Sequence, residues 1–325
     1  MPSITTHHMF AREVYKRLPK EEQVRCRNAL SIYLTFAQSH DYLFYYTFDI
    51  KNSKKIKELG HYAHHNKTQD YLINIVKVIK EKHLKNNPQA IAYLYGSITH
   101  FCLDSTCHPY IFYKTGIYRK ENPNSLKYVG EHNRMEKDLD AIYYEKYTGK
   151  KYNKCNISKD IIGNPKFTDE LTDLISTVYK MTYNEENIGT FYKKSITHAK
   201  IISSLAINDS LGIKKAIYSI IDFLTKKRWG LLKCYSTHLI HPNTSYLNLE
   251  HQEWNHPSNK DITYTYSFEE LYNISLEKAL KIIHSINKVL FKNKNISMLY
   301  KTIPNLDYST GVPLDESRRM DFFEE

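Results

Sequence analysis

The sequence predicts an all-α fold in which many helices pack as a bundle-like domain. Apolar residues recur at helical spacing wherever a period can be found, strand signals are scarce, and only 10 glycines and 10 prolines interrupt 325 residues. The segment QDYLINIVKVIKEKHLK (69 to 85) sets Leu72, Ile75, Val76 and Ile79 on one stripe, the pattern of an amphipathic helix. NNPQAIAYLYGSITHFCLDSTCH follows, with Pro88 where a helix can start and Pro109 just after the last histidine, where it is expected to stop. A third segment, GEHNRMEKDLDAIYYEKY (130 to 147), opens at a glycine. Further helices are expected near 9 to 18, 22 to 47, 54 to 65, 168 to 182, 188 to 206, 211 to 236 and 266 to 292, with DITYTYS (261 to 267) as the clear short strand.

Charged residues make up 25% and apolar residues 41%, a globular balance that excludes a disordered chain. Lys and Arg outnumber Asp and Glu by 46 to 35, and the net charge of +11 favours anionic partners such as phosphates, nucleic acid or an acidic membrane surface. No stretch approaches the roughly 20 apolar residues of a membrane span, and MPSITTHHMFAREVY lacks the pattern of a secretory signal. A cytoplasmic protein is therefore expected. Five dispersed cysteines without a C-x-x-C pair read as reduced thiols. The polar stretch 147 to 169 divides a histidine-rich part, 1–150, from further helices, 151–325, which are expected either to pack on the same domain or to follow a boundary there.

Chemistry concentrates in the first part. His100, Asp104 and His108 stand at i, i+4 and i+8 of one apolar helix, so they drift by about 40° per step yet share a face. His132 and Glu136 repeat the device on the next helix, with Asp140 a turn further on. Facing helices that offer histidine and carboxylate pairs are how a bundle core houses metals, and this nitrogen and oxygen set suits zinc, with manganese or iron as substitutes. Upstream stand His7 and His8, His40 and Asp41, and His61, His64 and His65. Aromatic and aliphatic residues surround Asp41, and a buried carboxylate needs a cationic partner. The same residues also fit ordinary core histidines bonded to Asp104, and a surface turn capped by Asp41.

The order of these elements resembles the zinc-dependent phospholipase C family: an N-terminal His, an Asp before aromatics, a His, then His-x-x-x-Asp with a following His, then His-x-x-x-Glu. On that resemblance the metal ligands are His7, Asp41, His64, His100, Asp104, His108, His132 and Glu136, with Asp104 bridging two metals. His8 competes with His7 for its place, and His65 with His64. The resemblance implies an α-helical domain with two or three zinc ions in its core. Exported members use a processed N-terminal Trp as a ligand, whereas this chain starts MPSITTHH, which points to a non-secreted member and puts the third ion in question. No pattern of an additional C-terminal lipid-binding β-sandwich is visible.

The implied reaction is hydrolysis of a phospholipid or small phosphodiester by metal-activated water, with Asp41 as both ligand and candidate catalytic base. Two other readings fit the same residues. One is a nuclease-like phosphodiesterase, although residue 106 is Thr where that pattern has a histidine. The other is a non-catalytic helical protein whose metal site is structural or degenerate, for instance closed by Cys102 or Cys107. His241, His251, His256 and Trp254 read as a loop or an active-site rim. KNSKKIK (51 to 57) reads as a solvated face or a contact with acidic lipid, and residues 308 to 325 as an irregular tail.

Overall fold

The structure is a computed structural model that describes residues 4–226, 231–316 and 319–324. Its helices are α1 (Ile4–Arg17), α2 (Lys20–Arg27), α3 (Leu30–Phe36), α4 (Ile50–His65), α5 (Thr68–Glu81), α6 (Pro88–Thr115), α7 (Glu131–Thr148), α8 (Asp169–Tyr183), α9 (Ile188–Ile202), α10 (Ile213–Leu224), α11 (Phe268–Phe291) and α12 (Ser297–Thr302). One antiparallel hairpin, β1 (Trp254–His256) and β2 (Asn259–Tyr264), pairs Trp254 with Tyr264 and is the sheet among the described residues. The fold is all-α, as the periodicity predicts. No described helix is long and apolar enough to cross a membrane.

Helix α6 is the axis. The Asn87 side chain accepts from the amides of Gln89 and Ala90, Pro88 occupies the first turn, and every residue from Ala90 to Ile111 is buried. A helix apolar on all sides must be surrounded, and α1, α2, α3, α5, α7 and α11 all pack on it. The sequence SFEE starts α11 with a reciprocal cap: the Ser267 hydroxyl accepts from the Glu270 amide, and the Glu270 carboxylate accepts from the Ser267 amide.

Three expectations are corrected. Pro109 does not end α6, which runs on to Thr115. Proline removes one amide donor, that to the Ser105 carbonyl, and Gly311 at φ +65° packs so closely on that oxygen that a Cβ there would lie 2.2 Å from it. The helix expected over 22 to 47 is broken at Asn28 and again after Ala37, where Ser39 at φ 32° turns the chain into a 3-10 segment, Ser39–Tyr45. That break aims Asp41 into the core. The helix expected over 211 to 236 is α10 followed by a short 3-10 turn at Leu232–Tyr235, and residues 227 to 230 lie outside those described.

Gly96 fixes the spacing of α3 and α6, because a Cβ there would lie 2.5 Å from the Tyr33 carbonyl and 2.8 Å from Phe36 Cβ. Alanine is the better helix former by about 1 kcal/mol. Overpacking nevertheless outweighs propensity here, so Gly96→Ala is expected to destabilise the fold by about 2 kcal/mol, read as a lower urea midpoint.

Candidate metal centre

The helical core brings all eight candidate ligands into two adjoining groups. His100 and Asp104 come from α6, His7 from α1, and Asp41 from the 3-10 segment; one ligand atom of each lies within 4.8 Å of the others. His7 Nε2 is 3.0 Å from Asp104 Oδ1, and His100 Nε2 is 3.4 Å from Asp104 Oδ2 and 3.9 Å from Asp41 Oδ2. His64, at the end of α4, adds its Nε2 at 3.1 Å from Asp41 Oδ1 and 3.4 Å from His100 Nε2. The second group is His108 of α6 with His132 and Glu136 of α7. There Glu136 Oε1 lies 3.6 Å from His108 Nε2 and 3.1 Å from His132 Nε2. Asp104 stands between the groups, 3.8 Å from His108 Nδ1.

Hydrogen bonding explains why these side chains fit a cation. His64 Nδ1 lies 2.7 Å from the Gly60 carbonyl, which can only accept, so Nδ1 is the donor. In neutral His64 the Nε2 lone pair then faces the Asp41 carboxylate, acceptor against acceptor. His108 repeats the arrangement: Nδ1 donates to the Tyr308 carbonyl at 3.0 Å and Nε2 faces Glu136. Each opposition requires a proton or a metal ion between the two atoms. Backbone carbonyls that take the far nitrogen of a histidine are the usual means of presenting the near one to a metal. Glu136 Oε2 and Asp104 Oδ2 are also buried without a hydrogen-bond donor among the described residues.

The electrostatics agree. Burial works against a charge on His108, but the Asp104 and Glu136 carboxylates more than offset it and push its pKa up to about 10. Burial likewise opposes the charge on His64 and on His7, and Asp41 and Asp104 respectively overcome it, so both are raised. His100 goes the other way, pushed down to about 4 by burial despite Asp104 and Asp41. Burial would raise Asp104 and Glu136, yet the surrounding histidines hold both well below the usual carboxylate range. Asp41, His64, His108, His132 and Glu136 all line a cleft of about 290 Å³ whose walls include Phe44 and Phe112.

Of the adjacent pairs, His7 faces Asp104 while His8 turns away beside Arg12, and burial depresses its pKa to about 4. His65 bonds Asp307 at 2.6 Å through Nδ1, leaving the cluster to His64. Asp140 is not among the grouped ligands. It accepts from the Thr6 amide at 2.7 Å and hydroxyl at 3.0 Å, and so anchors the turn that carries His7. Cys102 and Cys107 are buried thiols pushed up to about 12 by desolvation, and neither belongs to a ligand group among the described residues. His40 Nδ1 meets the Tyr179 hydroxyl at 2.5 Å behind the cluster. His256 bonds the Thr310 carbonyl at 2.8 Å, and His251 is exposed. The contribution of Tyr308 was not visible in the sequence: it lies in the segment expected to be an irregular tail, yet it is buried and its amide donates to the His64 carbonyl at 3.1 Å. The turn residues around it, Asp307 and Gly311, were its one local signal.

A family model described as zinc dependent phospholipase C matches residues 6–189, more than half of the chain and all eight candidate ligands. This chain belongs to the zinc-dependent phospholipase C family. No curated protein and no solved structure matches it. A zinc-dependent family and two buried histidine and carboxylate groups agree in chemistry, and α10 and all later elements lie beyond the matched residues.

Two outcomes are expected. Asp140→Ala frees the Thr6 turn and lowers zinc affinity about 10- to 100-fold, measured by competition with a chelating dye. In chelator-treated protein, protonated His108 contributes stability that is fully present below pH 6.5 and is lost as pH rises through about 10. A zinc ion held at His108 would compete with that proton, so its uptake is expected to strengthen over the same range. Thermal melts across this window, with and without zinc, are therefore expected to diverge as pH rises.

Proposed function

We propose that this protein is a phospholipase C-like phosphodiesterase that cleaves a phospholipid, or a small phosphodiester of the same chemistry, into a diacylglycerol or other alcohol and a phosphorylated head group. The observation that carries this reading is the acceptor-to-acceptor meeting of His64 with Asp41 and of His108 with Glu136 on the wall of one cleft. His7, Asp41, His64, His100 and Asp104 would hold one part of a zinc centre, and His108, His132 and Glu136 the other, with Asp104 standing between the two groups. Bound zinc supplies Lewis acidity, which neutralises charge developing on phosphoryl oxygens and lowers the pKa of water. Two or three ions fit the family.

The chain's own groups do the rest. Asp41 takes the proton of the attacking water, whose oxygen bonds to phosphorus as the bond to the leaving alkoxide breaks, and that proton then goes to the alkoxide. Gly60 and Tyr308 carbonyls hold His64 and His108 in one tautomer. Phe44 and Phe112 offer apolar walls to the glycerol end of a lipid, and His61 and His65 stand at the same cleft. The burial of His7, His100 and Asp104 keeps bulk water from the deeper group.

Elemental mass spectrometry of the native protein is expected to find two or more zinc ions per chain. His100→Ala and Glu136→Ala should each lose zinc together with hydrolysis of p-nitrophenylphosphorylcholine, and Asp41→Asn should lower the rate about 10²- to 10⁴-fold. Stoichiometric zinc without hydrolysis of this ester or of single-stranded DNA would assign the metal to structure and sink the catalytic reading. Preference for DNA would make the protein a nuclease instead.

A further inference from the structure

Helix α10 is built inside out. Its polar side faces the protein: Lys214 Nζ donates to the carbonyls of Ser204 and Asn208 at 3.0 and 2.7 Å, and the Tyr218 hydroxyl donates to the Ala206 carbonyl at 2.8 Å. Lys215 Nζ donates to the His238 carbonyl at 3.0 Å, and the buried Asp222 accepts from the amides of Leu232 and Lys233 at 2.8 and 3.0 Å. The opposite side carries Ile213, Ile217, Ile220 and Leu224 at i, i+4, i+7 and i+11, which are 60, 50, 60 and 72% exposed, beside Phe223 at 82% and Leu211 at 78%. An amphipathic helix in water turns its apolar stripe inward. Here the polar anchors hold that stripe outward, and a contiguous apolar face of this kind marks an interaction site.

We propose that the outward face of α10 docks on the surface of an anionic phospholipid bilayer. Charge selects this occupant over a second copy of the chain. The protein carries +11, and Lys226 just past the end of α10 and Lys233 in the short turn that follows are both exposed. A two-fold contact through α10 would bring like-charged proteins together, whereas anionic lipid complements both the apolar stripe and the net positive charge.

The docking face is also tied to the cleft. Leu231, in the connection after α10, packs on Gly130 so closely that a Cβ there would lie 2.7 Å from its Cγ, and Gly130 opens α7 two residues before His132. Asn133 Nδ2 donates to the Tyr235 hydroxyl at 3.2 Å in the same junction. Helix α10 is thus linked, through the turn at Leu232–Tyr235, to the helix that carries one wall of the cleft. The value of this placement to a lipid-cleaving enzyme rests on the phospholipase reading; the docking itself does not.

The test is flotation of the full zinc-loaded chain with vesicles of phosphatidylcholine alone and of an equimolar mixture with phosphatidylglycerol. Hydrolysis of soluble p-nitrophenylphosphorylcholine is followed in parallel. Ile220→Glu and Phe223→Glu alter exposed side chains, and circular dichroism checks that each keeps its helicity. The wild type is expected to float with the anionic vesicles, and each variant to bind about tenfold more weakly or worse, with soluble-ester hydrolysis unchanged. Equal flotation of variants and wild type, or no flotation of the wild type, overturns the proposal. So does a dimer in sedimentation velocity that both variants dissociate without any vesicle binding, which would assign the face to a second copy. Loss of flotation in the variants, with no ester hydrolysis by any of the proteins, leaves the docking surface standing and removes the phospholipase reading instead.

Discussion

Three carboxylates, Asp41, Asp104 and Glu136, are buried in the middle of a helical protein, and the architecture around them follows from the need to neutralise them. An unpaired buried carboxylate costs several kcal/mol, so each must meet a cation or a protonated partner. Five histidines from α1, α4, α6 and α7 converge on these oxygens at hydrogen-bonding or near-contact distances. Only a helix surrounded on all sides can bring that many elements to one place. Helix α6 is such a helix, and its close contact with α3 at Gly96 belongs to the same packing.

The layer behind the candidate ligands is mostly backbone. Carbonyls of Gly60 and Tyr308, not side chains, orient His64 and His108, and an amide and a hydroxyl of Thr6 tie His7's turn to Asp140. Backbone donors and acceptors leave little trace in a sequence. They also resist drift, because a substitution at Gly60 or Tyr308 leaves the carbonyl in place so long as the chain path survives. The aromatic rings that fill the remaining space, such as Tyr308 with its centroid 5.1 Å from His64 and 5.5 Å from His100, exclude water and keep the site's electrostatics strong.

What could be read beforehand follows the same division. The edge of His100, Asp104 and His108 was legible because a helix translates spacing into direction, and so was the pair His132 and Glu136. The 3-10 segment holding Asp41 was not legible as such: Ser39 adopts a positive φ that residue type alone does not announce, so the region read as one long helix. Pro109 misled in the opposite sense, since its local preference is to end a helix, yet α6 runs on to Thr115 and is buried on all sides through Ile111. The choice of His7 over His8 was open for a geometric reason. Neighbours on a helix point about 100° apart, and only the packing of α1 decides which one faces Asp104. The apolar residues of α10 were present in the sequence, but an amphipathic pattern does not say which side is turned inward.

The bond between His108 and the Tyr308 carbonyl spans 200 residues. During synthesis at about 5 to 20 residues per second, the histidine therefore waits roughly 10 to 40 seconds for the group that fixes its tautomer. The helices that carry the candidate ligands leave the ribosome early and exist for that interval as an unfinished set of imidazoles and acids. Maturation of the centre is thus a late event in the life of the nascent chain. It is the C-terminal segment closing on α4 and α6, rather than the arrival of the candidate ligands themselves, that completes the cluster.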